Sequence, residues 1–171
     1  MTTTTSAPTF TESMQFARTM LTNLLKDFPA DKATFQPFKT DNHAMWILGH
    51  LALTDHWFLS ILKNVAPNAA IPKAPPENWN KLFGHKSVPT PSASAYPSFS
   101  EVRAAADAAH NALVKALASL SHDQRVQHFG EAGGGFVADA NDLIIKSIWH
   151  DGWHAGQLAS IRRALGLPPS M

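Results

Sequence analysis

Two histidines four residues apart, His150 and His154, stand in the stretch WHDGWHAGQL. On an α-helix this spacing places both imidazoles on one face, within reach of a single metal ion. At about 100° per residue, both lie on the apolar stripe of the predicted last helix. A third histidine, His50 in ILGHLAL, points inward from an earlier predicted helix. Three such imidazoles are the ligand set of catalytic zinc sites, which leave a fourth position open to water or substrate.

The same three histidines allow a second interpretation, in which buried imidazoles satisfy one another by hydrogen bonding. Spacing alone does not select the metal either, because imidazole binds zinc, nickel, iron and copper. The segment HDGWH also resembles the H-E-x-x-H motif of zinc proteases. Asp151 stands where that motif has its glutamate, and nothing else in the chain supports a protease.

Several neighbouring residues bear on the site without a fixed role. We expect Asp151 to be solvated or to accept a hydrogen bond from a ligand imidazole. Gln157 is expected either to help in the same way or to be a surface amide. His43 lies one to two turns before His50, and His110 is the one remaining helical histidine close to a core stripe.

Composition limits the classes of function. The chain of 171 residues has a formal net charge of +1, without the basic excess typical of nucleic-acid-binding proteins. Its apolar stretches are shorter than the roughly 20 residues of a membrane helix, and its first residues lack the pattern of a secretory signal. We therefore expect a cytoplasmic protein with no nucleic-acid or membrane partner. Because the chain has no cysteine, a thiol reaction would need a thiol from a co-substrate.

Apolar periodicity predicts four helices and no strand. Their capping residues and approximate ends are Thr9 or Thr11 to Phe28, Asp41 or Asn42 to Asn64, Ser98 or Ser100 to Leu120, and Asp139 or Asn141 to Leu165. Residues 1–8 are expected to be a disordered tail, and the proline-rich residues 65–97 a long crossover without sustained periodicity. The prediction is an all-α single domain over residues 1–171, an up-and-down four-helix bundle with its long crossover between helices two and three.

Glycines and tryptophans near the histidines give further expectations. Gly152 and Gly156 lie inside a predicted helix, where each costs about 1 kcal/mol relative to alanine, so we expect a close packing partner. Gly49 likewise indicates a close packing partner on the second predicted helix. The neighbouring tryptophans are expected to be mainly core or interface bulk, and any on the open side of the metal would shape an apolar pocket: Trp46, Trp57, Trp149 and Trp153.

The histidine motifs together resemble the DinB/YfiT-like superfamily, a group of four-helix-bundle proteins regarded as metalloenzymes. The family pattern is a histidine in a GHL setting on the second helix and an H-x-x-x-H pair followed by GQ on the last. This chain has NHAMWILGHLALTDHW and IWHDGWHAGQLASIRRALGLP. The resemblance implies a divalent metal, zinc or nickel, held by His50, His150 and His154. It also implies a low-molecular-weight thiol as co-substrate and a homodimer.

Three hypotheses follow for the function. The first is a metal-dependent enzyme that transfers a small thiol to a small electrophilic substrate, with hydrolysis as the runner-up. The second is a non-enzymatic ligand-binding or stress-response bundle with a structural metal, which a closed site with four protein ligands would favour. The third is a bundle whose histidines bond only to one another.

Overall fold

The computed structural model describes residues 9–170, and all regular structure in that part of the chain is helical. Its α-helices are α1 (Phe10–Asn23), α2 (Ala44–Leu62), α3 (Trp79–Phe83), α4 (Phe99–Ala118), α5 (His122–Val126) and α6 (Ala140–Ala164). The all-α prediction is confirmed, and the predicted tail lies outside the described residues. Within residues 9–170, no helix has both the length and the apolar character needed to cross a bilayer.

Three of the four long helices begin at a predicted capping residue. Thr9, Ser98 and Asp139 precede α1, α4 and α6, and each side chain accepts a hydrogen bond from a backbone N–H in the first helical turn. Thr9 also forms a capping box with Glu12, whose carboxylate accepts the Thr9 amide. Local sequence therefore sets where these helices start.

The start of α2 corrects the prediction that Asp41 or Asn42 is its cap. The capping residue is His43, whose Nδ1 accepts the backbone N–H of Trp46 at 3.0 Å. The other ring nitrogen of His43, Nε2, lies 3.1 Å from the carbonyl oxygen of Thr90 and donates to it. His43 is thus fully engaged in joining the helix start to the crossover.

The end of α1 also corrects the prediction, which placed it near Phe28. The α-helix ends at Asn23, and the chain continues through turns in which amides bond to carbonyls three residues back, as Leu25 does to Thr22 at 2.9 Å. Leu25 and Phe28 stay buried in these turns. The apolar spacing therefore reports residues that enter the core, and these continue beyond the end of the helix.

The four long helices contact one another in a closed order. Helix α1 packs on α6, α6 on α2, α2 on α4, and α4 on α1. The second helix is buried almost all round, and its side chains enter two apolar clusters, one around Ile47 and Leu51 and the other around Phe58 and Leu62. Helix α2 is therefore the central support for any group it carries.

The crossover contains structure that apolar periodicity did not predict. The five-residue helix α3 lies within residues 65–97 and packs on α2. At the contact, a Cβ atom on Gly49 would overlap the ring of Phe83, so the expected close approach at this glycine is confirmed. The same expectation is wrong for Gly152 and Gly156, because a Cβ added at either would meet no atom of the described residues within 4 Å, apart from its chain neighbours and the nearby backbone of α6.

Candidate metal centre

The structure brings together the three histidines that the sequence singled out. One ring nitrogen from each of His50, His150 and His154 lies within 4.8 Å of the other two. On α6, the Nε2 atoms of His150 and His154 are 3.0 Å apart. The His50 ring, from α2, meets the other two rings edge-on, with centroids 5.1 and 5.4 Å away.

Hydrogen bonds orient two of the three imidazoles. His50 donates from Nδ1 to the carbonyl oxygen of Phe83 at 3.0 Å, and His154 donates from Nδ1 to Oε1 of Gln157 at 2.9 Å. The Gln157 oxygen also accepts from Nδ2 of Asn42 at 3.3 Å. With hydrogen on Nδ1, each ring turns an unprotonated Nε2 toward the centre, as metal-binding histidines do. Gln157 therefore takes the supporting role and is not a free surface amide.

Aromatic stacking restrains the rings further. Trp46 lies parallel to His50, with centroids 4.6 Å apart and planes 11° apart, and Trp149 stacks more loosely on His150 at 6.3 Å. The Trp46 indole donates from Nε1 to the hydroxyl of Ser87 at 2.7 Å. The crossover thus holds the tryptophan that covers one face of His50.

Burial keeps the three imidazoles neutral. It lowers the pKa of His150 to about 3 and the pKa of His154 to about 4, and it also lowers the pKa of His50. For His150, the neighbouring His154 and His50 add to the effect, because positive charges so close together repel. Neutral imidazole is the form that binds a metal, so no proton has to leave at neutral pH.

The three histidines lie in the wall of an open cleft of about 820 Å³. Among the described residues, no carboxylate joins the three imidazoles to close the set. Partly exposed aromatic side chains line the cleft: Trp57, Phe136, Trp149 and Trp153. Of the four tryptophans, only Trp46 is buried, so core bulk is wrong for Trp57, Trp149 and Trp153, while interface bulk stays a prediction. All four line the cleft, in agreement with the expectation that tryptophans beside the histidines would shape an apolar pocket.

The expectation for Asp151 is wrong. Its side chain is buried, and both carboxylate oxygens accept hydrogen bonds from Arg18, at 3.0 Å from Nε and 2.9 Å from Nη2. It therefore meets neither solvent nor a ligand imidazole. The reason is helical geometry, since one step beyond His150 turns the side chain by about 100°, away from the cleft.

Asp151 belongs to a buried ion cluster, defined here as Arg18, Asp55, His110 and Asp151. Arg18 also donates from Nη2 to Asp55 at 2.7 Å, and Nδ1 of His110 lies 3.5 Å from the same carboxylate. Burial alone would lower the pKa of Arg18, but the charges of Asp55 and Asp151 outweigh it and the pKa rises. Arg18 therefore stays charged.

The two carboxyl groups of the buried ion cluster differ in pKa. Burial raises the pKa of Asp151 above its ordinary value. Burial also acts to raise the pKa of Asp55, but the charge of Arg18 and the contact with His110 outweigh it, and the pKa falls. A sequence signal for the cluster existed, because Arg18 lies four residues after Met14 and three before Leu21 on the buried face of α1.

Comparison with known proteins identifies one family. The family model described as the DinB superfamily matches residues 13–158, a range that includes all three histidines and the buried ion cluster. No curated protein and no solved structure matches the chain.

Replacing Arg18 by methionine is expected to lower the free energy of unfolding by about 3 to 5 kcal/mol, because it leaves two buried carboxyl groups without their cation. Urea denaturation measures the change. Arg163→Met is the matched control, since Arg163 is exposed in the last turn of α6 and its loss should cost no more than about 1 kcal/mol. Equal losses in the two variants would show that the buried pairs make no net contribution.

In the metal-free protein, stability is expected to fall as the pH decreases below about 6.5. His150 and His154 have pKa values of about 3 and about 4 in the folded chain, against 6.5 for an ordinary histidine. Unfolding therefore takes up protons between these limits, so the stabilisation is complete above the unfolded pKa and is lost as the pH falls toward the folded values.

Urea unfolding of the His150→Gln variant tests this dependence. Between about pH 5 and pH 7, its free energy of unfolding should change less steeply with pH than that of the unchanged protein, because one proton-binding group is gone. Parallel curves for the two proteins would contradict the lowered pKa of His150.

Proposed function

Because the chain belongs to the DinB superfamily, a family generally associated with metal, we propose that it is a metal-dependent enzyme whose divalent ion is held by His50, His150 and His154. The observation that carries the proposal is the position of these imidazoles in the wall of an open cleft. Catalytic zinc sites combine three protein ligands with one open position, whereas structural sites are closed by four. Zinc and nickel are the ions proposed, since both accept imidazole nitrogen.

The residues present fit such an ion. His50 and His154 turn Nε2 inward because their Nδ1 atoms are engaged elsewhere, and the Nε2 of His150 faces that of His154. The 3.0 Å contact between the two Nε2 atoms also suits a direct hydrogen bond, as in the hypothesis of mutually bonded histidines. Among the described residues, however, no hydrogen bond uses Nε2 of His50, which that hypothesis does not explain.

The reaction proposed is transfer of a low-molecular-weight thiol to a small electrophile. When bound, a divalent ion supplies Lewis acidity, which lowers the pKa of a thiol or water beside it. The chain has no cysteine, so the thiol is a co-substrate. The carbonyl of Phe83 orients His50 and the amide of Gln157 orients His154, while the aromatic walls of the cleft offer apolar surface to the reactants.

We also propose the up-and-down four-helix topology in a single domain. The closed order of contacts among α1, α6, α2 and α4 supports it, with residues 65–97 as the long connection. The match of one family model over residues 13–158 supports a single domain.

The full-length protein is expected to bind about one zinc or nickel ion per chain, measured by elemental analysis after dialysis. His150→Ala should lose the ion, together with the stabilisation by added zinc, which would be about 2.7 kcal/mol at a hundred times Kd. Gln157→Leu removes the acceptor that orients His154 and should weaken zinc binding about 10- to 100-fold. The control is His122→Ala, since His122 is exposed on α5 and outside the cleft.

Activity distinguishes the remaining hypotheses. The zinc-loaded protein should consume a small thiol only when an electrophile is present. The His150→Ala variant should consume no thiol even with the electrophile. Release of product from an ester without any thiol would favour hydrolysis, and zinc binding with neither activity would favour the ligand-binding bundle. A protein that takes up neither zinc nor nickel would overturn the proposed centre.

We further propose a homodimer through an apolar face shared by α1 and α6. Phe16 is 67% exposed and Ile145 is 66% exposed. Phe16 also helps to line an apolar recess of about 600 Å³, together with Met20, Ile148 and Gly152. An exposed apolar face with an exposed ring and a recess can pack against its own copy, as a two-fold interface between identical chains requires.

Ile145→Glu is expected to convert the dimer to a monomer, because it would bury an unpaired charge in the interface. Sedimentation velocity measures the oligomeric state. Val88→Glu is the control, since Val88 is 84% exposed in the crossover, away from this face. A dimer that survives Ile145→Glu would place the interface elsewhere, and a monomeric unchanged protein would remove the proposal.

A further inference from the structure

The cleft over the three histidines presents four aromatic rings to solvent. Trp57 lies on α2 and Phe136 lies in the loop before α6, and their ring centroids are 6.2 Å apart. Trp149 and Trp153 both lie on α6, with ring centroids 5.2 Å apart. Their exposed fractions run from 37% for Trp57 to 57% for Trp153. Clustered aromatic exposure of this kind is typical of a surface that another molecule covers.

Within residues 9–170, the lining of this cleft carries no Asp, Glu, Lys or Arg, and its titratable groups are histidines. Lys146 lies beside the aromatic wall, with its Nζ 5.1 Å from the Phe136 ring centroid. Lys146 is already paired with Asp142 at 2.7 Å and is not part of the lining. A charged ligand would therefore lose hydration in the cleft without gaining a counter-charge from the side chains.

Polar side chains of the lining are largely occupied by the protein itself. The hydroxyl of Ser87 donates to the carbonyl of Gly84 at 2.8 Å, and the hydroxyl of Thr54 donates to the carbonyl of His50 at 2.9 Å. The Gln157 oxygen already accepts two hydrogen bonds. Apart from the imidazole nitrogens, a strongly polar ligand would thus find few free partners among the lining side chains, whereas flat apolar surface would find four rings.

We infer that the cleft binds an uncharged molecule carrying a planar aromatic group. Aromatic rings stack favourably on indoles, and a volume of about 820 Å³ accommodates a bicyclic ring with room to spare. A ring on the tryptophans leaves its substituent directed at the histidines in the same wall. The binding of this molecule is inferred from the cleft alone. Its role as the electrophile of the thiol transfer rests on the proposed function.

The test compares three naphthalene probes of similar size whose single substituent is neutral, anionic or cationic: 2-naphthylmethanol, 2-naphthoate and 2-naphthylmethylammonium. Calorimetric titration of the metal-free, full-length protein at neutral pH should give the alcohol the highest affinity, about tenfold above either ion. Leaving out the metal prevents the carboxylate from gaining a ligand bond. Equal affinity for the three probes, or preference for an ion, would overturn the inference.

Variants locate the binding. Trp153→Ala should weaken binding of 2-naphthylmethanol about tenfold, and Trp153→Phe should restore most of it, because a ring returns to the wall. Phe38→Ala is the matched control, since Phe38 is 73% exposed but outside the lining. The Ile145→Glu variant should keep the affinity of the unchanged protein. Loss of affinity there would show that binding needs the second chain and not the aromatic wall of one chain alone, which would also overturn the inference.

The outcomes separate this inference from the proposed function. Binding of the neutral probe by a protein that takes up no metal would leave the ligand class standing and remove the enzyme. Metal-dependent thiol transfer by a protein that binds the three probes equally would support the enzyme and remove the proposed ligand class.

Discussion

Arg18 joins three helices through hydrogen bonds to two buried carboxyl groups, and the position of the three histidines depends on it. Asp55 lies on α2, little more than one helical turn after His50. Asp151 lies on α6, directly after His150. Since a helix fixes the relation between nearby residues, holding the two carboxyl groups also holds the two helices that present the imidazoles. Apolar packing tolerates small shifts between helices, but a planar guanidinium bound at both oxygens of Asp151 does not.

Local sequence features predicted the parts of the structure that depend on residues close together in the chain. The helical class, the caps Thr9, Ser98 and Asp139, and the shared face of His150 and His154 all follow from spacing within a few residues. The ion pair between Arg18 and Asp151 joins residues 133 positions apart, so no periodicity reports it. Asp151 was misjudged because a carboxylate beside a histidine looks the same in sequence whichever way it turns.

The remaining errors concern surroundings that only the folded chain defines. Gly49 and Gly152 have the same helical propensity, yet one faces the ring of Phe83 and the other faces open space. Trp46 and Trp153 are the same residue type near the same site, yet one is covered by the crossover and the other is exposed. Helix α3 has five residues, too few to establish a helical period.

The crossover supports His50 with a backbone atom, the carbonyl oxygen of Phe83. A side-chain acceptor can be deleted by one substitution, but every amino acid at this position brings the same carbonyl. The support is therefore indifferent to which residue stands there and sensitive to the path of the chain, which the close approach of α3 to Gly49 sets. Insertions and deletions in residues 65–97 would change the orientation of the His50 imidazole, whereas many point changes in that segment would leave it unchanged.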